Sequence, residues 1–275
     1  GFDKNAQVFN EFSCLGFGFI EIGTVTPLAQ SGNSKPRLFR LPNDKALINR
    51  MGFNNDGVDV IVRRLKNKYT DVIVGGNIGK NKLTPNQSAD SDYIKCFEKI
   101  APHVDYLVLN ISSPNTPDLV KLQKKSYLNQ LLLKIQKINK SKYNKPILIK
   151  ISPDLSFSEI DIILELIKLH HISGVITTNT SSKREGLITN ERIIESYGLG
   201  GLSGRPLKNK SKKIVSYIHS KTEGSLPIIA AGGIMSPDDA IEMIDAGASL
   251  IQIYTALVYN GPSIVKSMNM SLLKS

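Results

Sequence analysis

The feature that most constrains the fold is a repeated alternation of short, β-branched, apolar runs with longer amphipathic segments. Such an alternation is typical of parallel strands joined by crossover helices. Residues 1–4 have the composition of the tail of one further strand, whose body is expected to precede residue 1. The other strand-like runs are residues 17–24, 72–77, 106–109, 147–150, 174–179, 227–233 and 250–255.

Eight strand units predict one α/β domain over residues 1–275, a parallel eight-stranded (β/α)8 TIM barrel whose first strand is truncated in this chain. Two helix starts support these connections. Ser156 and Glu159 have capping-box spacing, and Ser236 precedes Pro237 as an N-cap before a proline in the first turn. An open doubly wound sheet is the alternative, since the two folds differ in strand order, which the sequence does not give.

The carboxyl ends of barrel strands meet at one mouth, where the chemistry of such a fold is located. The predicted strands place amides, hydroxyls and lysines there, with no His or Cys among them. The nearest acids, Asp3, Glu21 and Asp154, do not have the spacing of metal ligands. We therefore expect no metal site, and we expect a planar, anionic ligand rich in carbonyl groups.

The most polar of these strand ends is residues 110–115, with the sequence NISSPN. Asn110 and Asn115 each offer one acceptor and two donors, and Ser113 can give or take a proton, so the segment suits a polar ring. A simple turn that closes a strand has the same composition, and the segment alone leaves the two interpretations equally weighted. Similar side chains at the other strand ends favour a binding site.

Two glycine-rich turns, Gly232-Gly233 and residues 200–204, together indicate a phosphate site. The Gly232-Gly233 pair alone fits an ordinary tight turn equally well. Lys150 ends an apolar strand, and an inward-facing lysine at that position needs an anionic partner. It fits a Schiff-base lysine, an anion clamp or a positive charge beside a flavin ring.

The formal charge is +11, from 35 Lys and Arg against 24 Asp and Glu, which suits an anionic partner. The lysine patches at 134–145 and 208–213 lack the interleaved aromatic residues of a base-stacking surface, so we expect no nucleic-acid partner. No apolar run approaches the roughly 18 residues of a membrane span.

Six motifs, in order along nearly the whole chain, resemble the signatures of dihydroorotate dehydrogenase, and of its bacterial members in particular. Each motif is weak alone, whereas six at consistent spacing are specific. Ser113 stands where the quinone-dependent class 2 enzymes have a serine base and class 1 enzymes have a cysteine, so the resemblance implies class 2. The motifs are GFDKN at 1–5, EIGTVTP at 21–27, NRMGFN at 49–54, NIGKN at 77–81, NISSPN at 110–115 and GLSG at 201–204.

The resemblance implies FMN-dependent oxidation of (S)-dihydroorotate to orotate in de novo pyrimidine (UMP) biosynthesis, with reoxidation by a quinone. Ser113 would remove the C5 proton while the C6 hydride passes to N5 of FMN, and Thr116 and Phe53 would shape a proton relay. The residues implied for the substrate are Lys4, Asn49, Arg50, Met51, Gly52, Phe53, Asn110, Asn115, Asn179 and Thr180. Those implied for FMN are Lys4, Thr24, Asn77, Asn110, Lys150, Thr178, Gly204, Gly233, Tyr254 and Thr255.

Class 2 enzymes carry N-terminal helices that contact the membrane and form a quinone tunnel, and no such stretch is found in this sequence. We expect this chain to be incomplete at both ends and soluble by itself. By resemblance, the whole protein would be peripheral on the cytoplasmic face of the inner membrane, with the membrane surface contacted through the missing N-terminal region.

Three other functions are left open, the first within the resemblance and the other two from the residues. One is a soluble flavoenzyme like the class 1 dihydroorotate dehydrogenases. Another is a Schiff-base aldolase or lyase that uses Lys150, for which an acid or tyrosine beside the lysine is expected and an amide-rich grip on a second ring is not. The third is a non-catalytic barrel that binds an anion or nucleotide, in which Ser113 has no chemical role.

Overall fold

The structure is a computed structural model that describes residues 1–113, 115 and 122–274. The strands are β1 (Phe19–Val25), β2 (Leu38–Leu41), β3 (Ala46–Asn49), β4 (Ile73–Ile78), β5 (Tyr106–Asn110), β6 (Ile147–Ile151), β7 (Gly174–Thr177), β8 (Gly201–Gly204), β9 (Ile228–Ala231) and β10 (Leu250–Gln252). The α-helices are α1 (Phe9–Ser13), α2 (Val58–Leu65), α3 (Ala89–Ile100), α4 (Lys125–Lys142), α5 (Phe157–Leu169), α6 (Glu191–Ser196), α7 (Lys208–Lys221), α8 (Pro237–Asp245), α9 (Thr255–Asn260) and α10 (Ser263–Leu272).

Seven strands form one parallel sheet in the order β1-β4-β5-β6-β7-β9-β10. Side chains from strands far apart in this order meet inside the sheet, which shows that the sheet is curled. Gln252 on β10 donates to Glu21 on β1 at 2.9 Å, and Lys150 on β6 donates to Gln252 at 2.8 Å. The predicted parallel α/β architecture is therefore confirmed for seven strands, each near its predicted position.

The eighth predicted strand is not found in the described part of the chain, where residues 1–4 form no strand. Asp3 accounts for their conformation. Its carbonyl oxygen accepts the Gly23 N–H at 3.0 Å, while its side chain accepts the N–H groups of Gln7 at 2.9 Å and Val8 at 3.0 Å. Side-chain acceptors of this kind compete with strand pairing, and here they turn the chain toward α1.

A second, antiparallel sheet has the order β2-β3-β8, and the sequence patterns do not predict it. Its strands have four residues each, too few to show a clear alternation. Asn49 pairs with Gly201, and the Asn49 side chain also donates to the Gly201 carbonyl at 3.2 Å. This pairing brings a segment that the sequence indicates only as a loop to the carboxyl end of the main sheet.

The hydrophobic core has a layer on each face of the curled sheet. The inner layer contains Tyr106, Val108, Leu148, Ile176 and Ile229, which alternate with outward-facing residues along their strands. A larger outer layer packs the sheet against the helices. Both helix starts expected from the sequence are present, since Ser156 and Ser236 each form a capping box at the beginning of α5 and α8.

No helix in the described ranges combines the length and the apolar content that a membrane crossing requires.

Candidate active site

A cavity of about 460 Å³ opens at the carboxyl ends of the parallel strands. No His or Cys lines it among the described residues, and no cluster of three or more potential metal ligands occurs in that part of the chain. Most of the predicted site residues lie on its wall. They are Lys4, Thr24, Asn49, Met51, Gly52, Phe53, Asn77, Asn110, Ser113, Asn115, Lys150, Thr178, Asn179, Thr180, Gly204, Gly233, Tyr254 and Thr255.

Three asparagines at the ends of β4, β5 and β7 are joined by hydrogen bonds that all run in the same donor-to-acceptor direction. Asn179 Nδ2 donates to Asn110 Oδ1 at 3.1 Å, and Asn110 Nδ2 donates to Asn77 Oδ1 at 3.2 Å. Thr24 adds a shorter bond to Asn77 Oδ1 at 2.6 Å. Buried amides that are paired in this way have fixed orientations, because a flip of any one of them would leave polar groups unsatisfied.

Ser113 lies beside this chain and is only 5% exposed. Its hydroxyl oxygen accepts the Asn115 N–H at 3.3 Å, and the Asn115 side chain donates to Asn49 Oδ1 at 2.8 Å. Within the described residues, no carboxylate or imidazole is hydrogen-bonded to Ser113. Thr116, the predicted relay residue, lies outside the described residues.

Lys150 meets the anionic partner that its position requires. Its Nζ atom lies 3.8 Å from Glu21 Oε1 and donates to Gln252 Oε1 at 2.8 Å. Glu21 also accepts from Asn77 Nδ2 at 2.8 Å. The sequence patterns indicate Glu21 only as a nearby acid and do not indicate Gln252 as a site residue. A charged or amide residue inside an otherwise apolar strand was the available signal for both.

Lys4 is half-buried at the cavity wall. Burial, with a smaller contribution from the neighbouring Arg37 guanidinium, lowers the pKa of the Lys4 ammonium to about 8. An anionic ligand placed next to Lys4 would favour its charged form. The site is therefore electrostatically suited to a carboxylate.

The glycine-rich turns lie next to the start of α7. Gly233 has φ +82°, and a Cβ built on it would lie 2.2 Å from the backbone nitrogen of Lys208, the first residue of α7. Gly204 has φ +99°, and a Cβ there would lie 2.4 Å from the Lys45 carbonyl oxygen. Only glycine permits these approaches. The approach at Gly233 brings its turn to the positive end of the α7 dipole, and Gly204 ends β8 shortly before α7 begins. Such an arrangement is typical of a phosphate cradle.

One side of the cavity is apolar and aromatic, and the sequence patterns did not indicate it. Phe2 packs against Phe12 and against Tyr254, with ring centroids 5.4 Å apart in both pairs, and Phe12 lies 6.2 Å from Phe17. Val265 and Met268 of α10 line the same side. The cavity thus joins a polar end at the strand tips to an apolar end between α1 and α10.

Arg50 is the one predicted residue within the described ranges that does not line the cavity. Its guanidinium donates to the carbonyl oxygens of Pro36 and Tyr197, at 3.2 Å each, and lies over the Phe39 ring. The side chain therefore links β2 to the segment after α6. Any contribution of residue 50 to ligand binding would come from its backbone.

The sequence and structure of the chain are similar to those of one protein family. The family model described as Dihydroorotate dehydrogenase matches residues 1–275. A relative from Christiangramia forsetii, named Dihydroorotate dehydrogenase (quinone), is 50% identical over 275 residues, which is all of this chain and 79% of the relative. A Coxiella burnetii relative of the same name is 49% identical over 273 residues, covering 98% of this chain and 78% of its own.

Solved structures agree with the sequence relatives. The ligand-free DHODH from Eimeria tenella superposes with a TM-score of 0.92 at 38% identity, covering 100% of this chain and 82% of that chain. Its complex with ferulenol gives 0.91 at 38% identity, covering 100% and 79%. The resemblance in the six motifs is confirmed, and the chain belongs to the dihydroorotate dehydrogenase family.

Proposed function

We propose that this protein oxidises (S)-dihydroorotate to orotate in de novo UMP biosynthesis, with FMN as cofactor and a quinone as electron acceptor. The observation that carries the proposal is the directional set of amides around Ser113, in a cavity that also presents Lys4 and Lys150. Family membership and the names of the relatives support the same reaction.

The polar end of the cavity suits the substrate. A dihydropyrimidine ring presents carbonyl and N–H groups, and carboxamides can pair with both. We assign the ring to Asn49, Asn110, Asn115, Asn179 and Thr180, with help from the backbone at residues 50–53. Lys4 would bind the carboxylate. The existing bonds among these amides hold their donors and acceptors in place before the ligand arrives, which lowers the entropic cost of binding.

Ser113 is the proposed base for the C5 proton. A hydroxyl is a weak base near neutral pH, so the proton must move on to another group. Phe53 lies at the cavity wall with φ +53°, and we propose that it and Thr116 shape the path along which the proton leaves.

We expect Thr116→Ala to slow substrate oxidation by about tenfold and to alter its pH profile, as loss of one proton-transfer partner should. If Thr116→Ala oxidises the substrate at the wild-type rate across an assay range of about pH 6 to 9, the relay is excluded.

The glycine turns and the lysine fit FMN. The cradle formed by Gly204 and Gly233 at α7 suits the phosphate, and Lys150 and Asn77 lie where they can meet the ring system. When bound, FMN supplies the acceptor for the hydride that leaves C6 of dihydroorotate. The residues we assign to it are Lys4, Thr24, Asn77, Asn110, Lys150, Thr178, Gly204, Gly233, Tyr254 and Thr255.

The apolar end of the cavity suits the proposed electron acceptor, a quinone. Phe2, Phe12 and Phe17 form a surface that an uncharged quinone ring can contact.

We propose one FMN-binding domain over residues 1–275, with an eight-stranded barrel whose remaining strand position lies between β10 and β1. A peripheral location on the cytoplasmic face of the inner membrane would bring the apolar end close to a quinone.

Lys4 gives the proposed substrate binding a pH dependence. With a pKa of about 8, Lys4 is charged below that pH and neutral above it. We expect dihydroorotate affinity to be constant below pH 8 and to fall by up to about tenfold per pH unit above it, until the pKa of Lys4 in the complex is reached. Isothermal titration from pH 6.5 to 9.5 measures this. Dihydrouracil, which lacks the carboxylate, should bind with no such change, and a flat dihydroorotate profile would contradict the assignment.

The experiment that tests the function is a steady-state assay of orotate formation by the FMN-loaded protein with a soluble quinone. Dihydroorotate oxidation with stoichiometric quinone reduction is expected. Orotate formation with a soluble acceptor but without quinone reduction would indicate class 1 behaviour instead. Covalent trapping of substrate on Lys150 by borohydride would support the aldolase alternative. Lys150 does have an acid beside it, but the amide-rich polar end is foreign to that chemistry.

A further inference from the structure

The centre of the polar network is the carboxylate of Glu21, on the inner face of β1. Its side chain is 4% exposed, and both of its oxygens accept hydrogen bonds from carboxamides. Asn77 Nδ2 donates to Oε1 at 2.8 Å, and Gln252 Nε2 donates to Oε2 at 2.9 Å. A carboxylate can only accept, so both neighbouring carboxamides must turn their NH2 groups toward it. Their oxygen atoms then face the opposite way.

On one branch this orientation reaches the proposed substrate site. With its nitrogen on Glu21, Asn77 presents Oδ1 to Asn110 Nδ2 at 3.2 Å. Asn110 in turn presents Oδ1 to Asn179 Nδ2 at 3.1 Å. The oxygen of Asn179 accepts the Thr180 N–H at 2.8 Å. The orientation of each carboxamide is therefore set by the preceding one, and the series begins at Glu21.

On the other branch the orientation reaches Lys150. With its nitrogen on Glu21, Gln252 presents Oε1 to Lys150 Nζ at 2.8 Å. The ammonium is also 3.8 Å from Glu21 itself. Glu21 thus fixes the position of Lys150 through Gln252 and balances part of its charge in a site with little solvent.

We propose that Glu21 is a positioning residue for the dihydroorotate site, which sets the donor and acceptor direction of Asn77, Asn110 and Asn179 and holds Lys150 through Gln252. The inference rests on the proposed function for the identity of the ligands, but the hydrogen-bond directions belong to the chain alone. A glutamine side chain at position 21 could donate as well as accept, so the chain would lose its single direction.

The test compares Glu21→Gln with a double variant that combines Glu21→Gln and Gln252→Glu, both in the FMN-loaded protein. In this exchange the carboxylate moves to position 252, where it meets Lys150 directly and accepts from the carboxamide now at position 21. The oxygen of that carboxamide then faces Asn77, so the original direction is restored.

For Glu21→Gln we expect the orotate dissociation constant to rise by about tenfold and the FMN midpoint potential to become more positive. The exchange should return both toward wild type. A potential and affinity unchanged in Glu21→Gln, or an exchange no better than the single variant, would overturn the proposal.

A second measurement needs no ligand. In ¹⁵N-labelled protein without FMN, the side-chain NH2 protons of Asn77 and Gln252 should exchange slowly with solvent, and Glu21→Gln should speed this exchange by about tenfold. Equal exchange in the two proteins would overturn the role of Glu21. Wild-type protein that binds no FMN would contradict the proposed function only, because the exchange measurement would still decide on Glu21.

Discussion

Ser113→Ala is expected to slow substrate oxidation by roughly 10²–10⁴-fold while substrate affinity changes little. The Ser113 hydroxyl is buried at the strand tips, where its only described hydrogen bond comes from the Asn115 N–H. The amides that we propose bind the ring are hydrogen-bonded to one another and to Asn49, so they remain in place without the Ser113 hydroxyl. Rapid mixing of FMN-loaded protein with dihydroorotate measures the rate, and equilibrium titration with orotate measures affinity.

Ser112 provides the matched control for that substitution. Its hydroxyl donates to the Lys150 carbonyl at 2.6 Å and accepts from Asn179 Nδ2 at 3.0 Å, so it supports one of the amides proposed to bind the substrate. We expect Ser112→Ala to weaken orotate binding more than it slows the chemical step. A Ser113→Ala protein that binds orotate normally and keeps its rate within about tenfold of wild type would exclude Ser113 as the base.

Gly233→Ala is expected to weaken FMN binding by roughly 5- to 150-fold, which corresponds to about 1–3 kcal/mol of overpacking. The added Cβ would lie 2.2 Å from the nitrogen and 2.3 Å from the Cα of Lys208, both backbone atoms. Because neither atom can rotate away, the turn and the start of α7 must separate. The proposed phosphate cradle would then widen. Quenching of FMN fluorescence during titration measures the affinity directly.

Gly261→Ala separates this clash from the cost of the backbone conformation. Gly261 has φ +72°, close to the +82° of Gly233, but apart from its own chain neighbours no atom of the described residues lies within 4 Å of a Cβ built there. It also does not line the cavity. We expect Gly261→Ala to lower the melting temperature slightly and to leave FMN affinity unchanged. Equal loss of affinity in both variants would assign the effect to general destabilisation and would contradict the cradle.

The sequence predicted the polar strand ends well, because a strand boundary and the chemistry of the next residue are both local. Asn77, Asn110 and Asn179 each follow an apolar run, and the parallel arrangement brings them together. Lys150 was likewise predicted to face inward and to need an anion, and Glu21 is that anion. Capping at Ser156 and Ser236 was predictable for the same local reason.

Features that depend on distant pairing were not predictable. Gln252 has a structural role because it donates a hydrogen bond to Glu21, which is 231 positions away in the chain. The short strands β2 and β3 exist because β8 pairs with β3, and no local pattern records that partner. Residues 1–4 were assigned to a strand by composition, whereas the Asp3 side chain turns them by hydrogen bonds to Gln7 and Val8. Arg50 was included with its motif, but its side chain packs on Phe39.

The measurement that tests the central claim most directly is anaerobic. The purified chain is loaded with FMN, dihydroorotate is added, and the absorbance of oxidised flavin is followed with Ser113→Ala alongside. We expect the wild-type absorbance to bleach with one orotate formed per FMN, since one hydride leaves each substrate, and the variant to bleach far more slowly. FMN that binds but keeps its absorbance when dihydroorotate is present would contradict the claim that this cavity oxidises dihydroorotate.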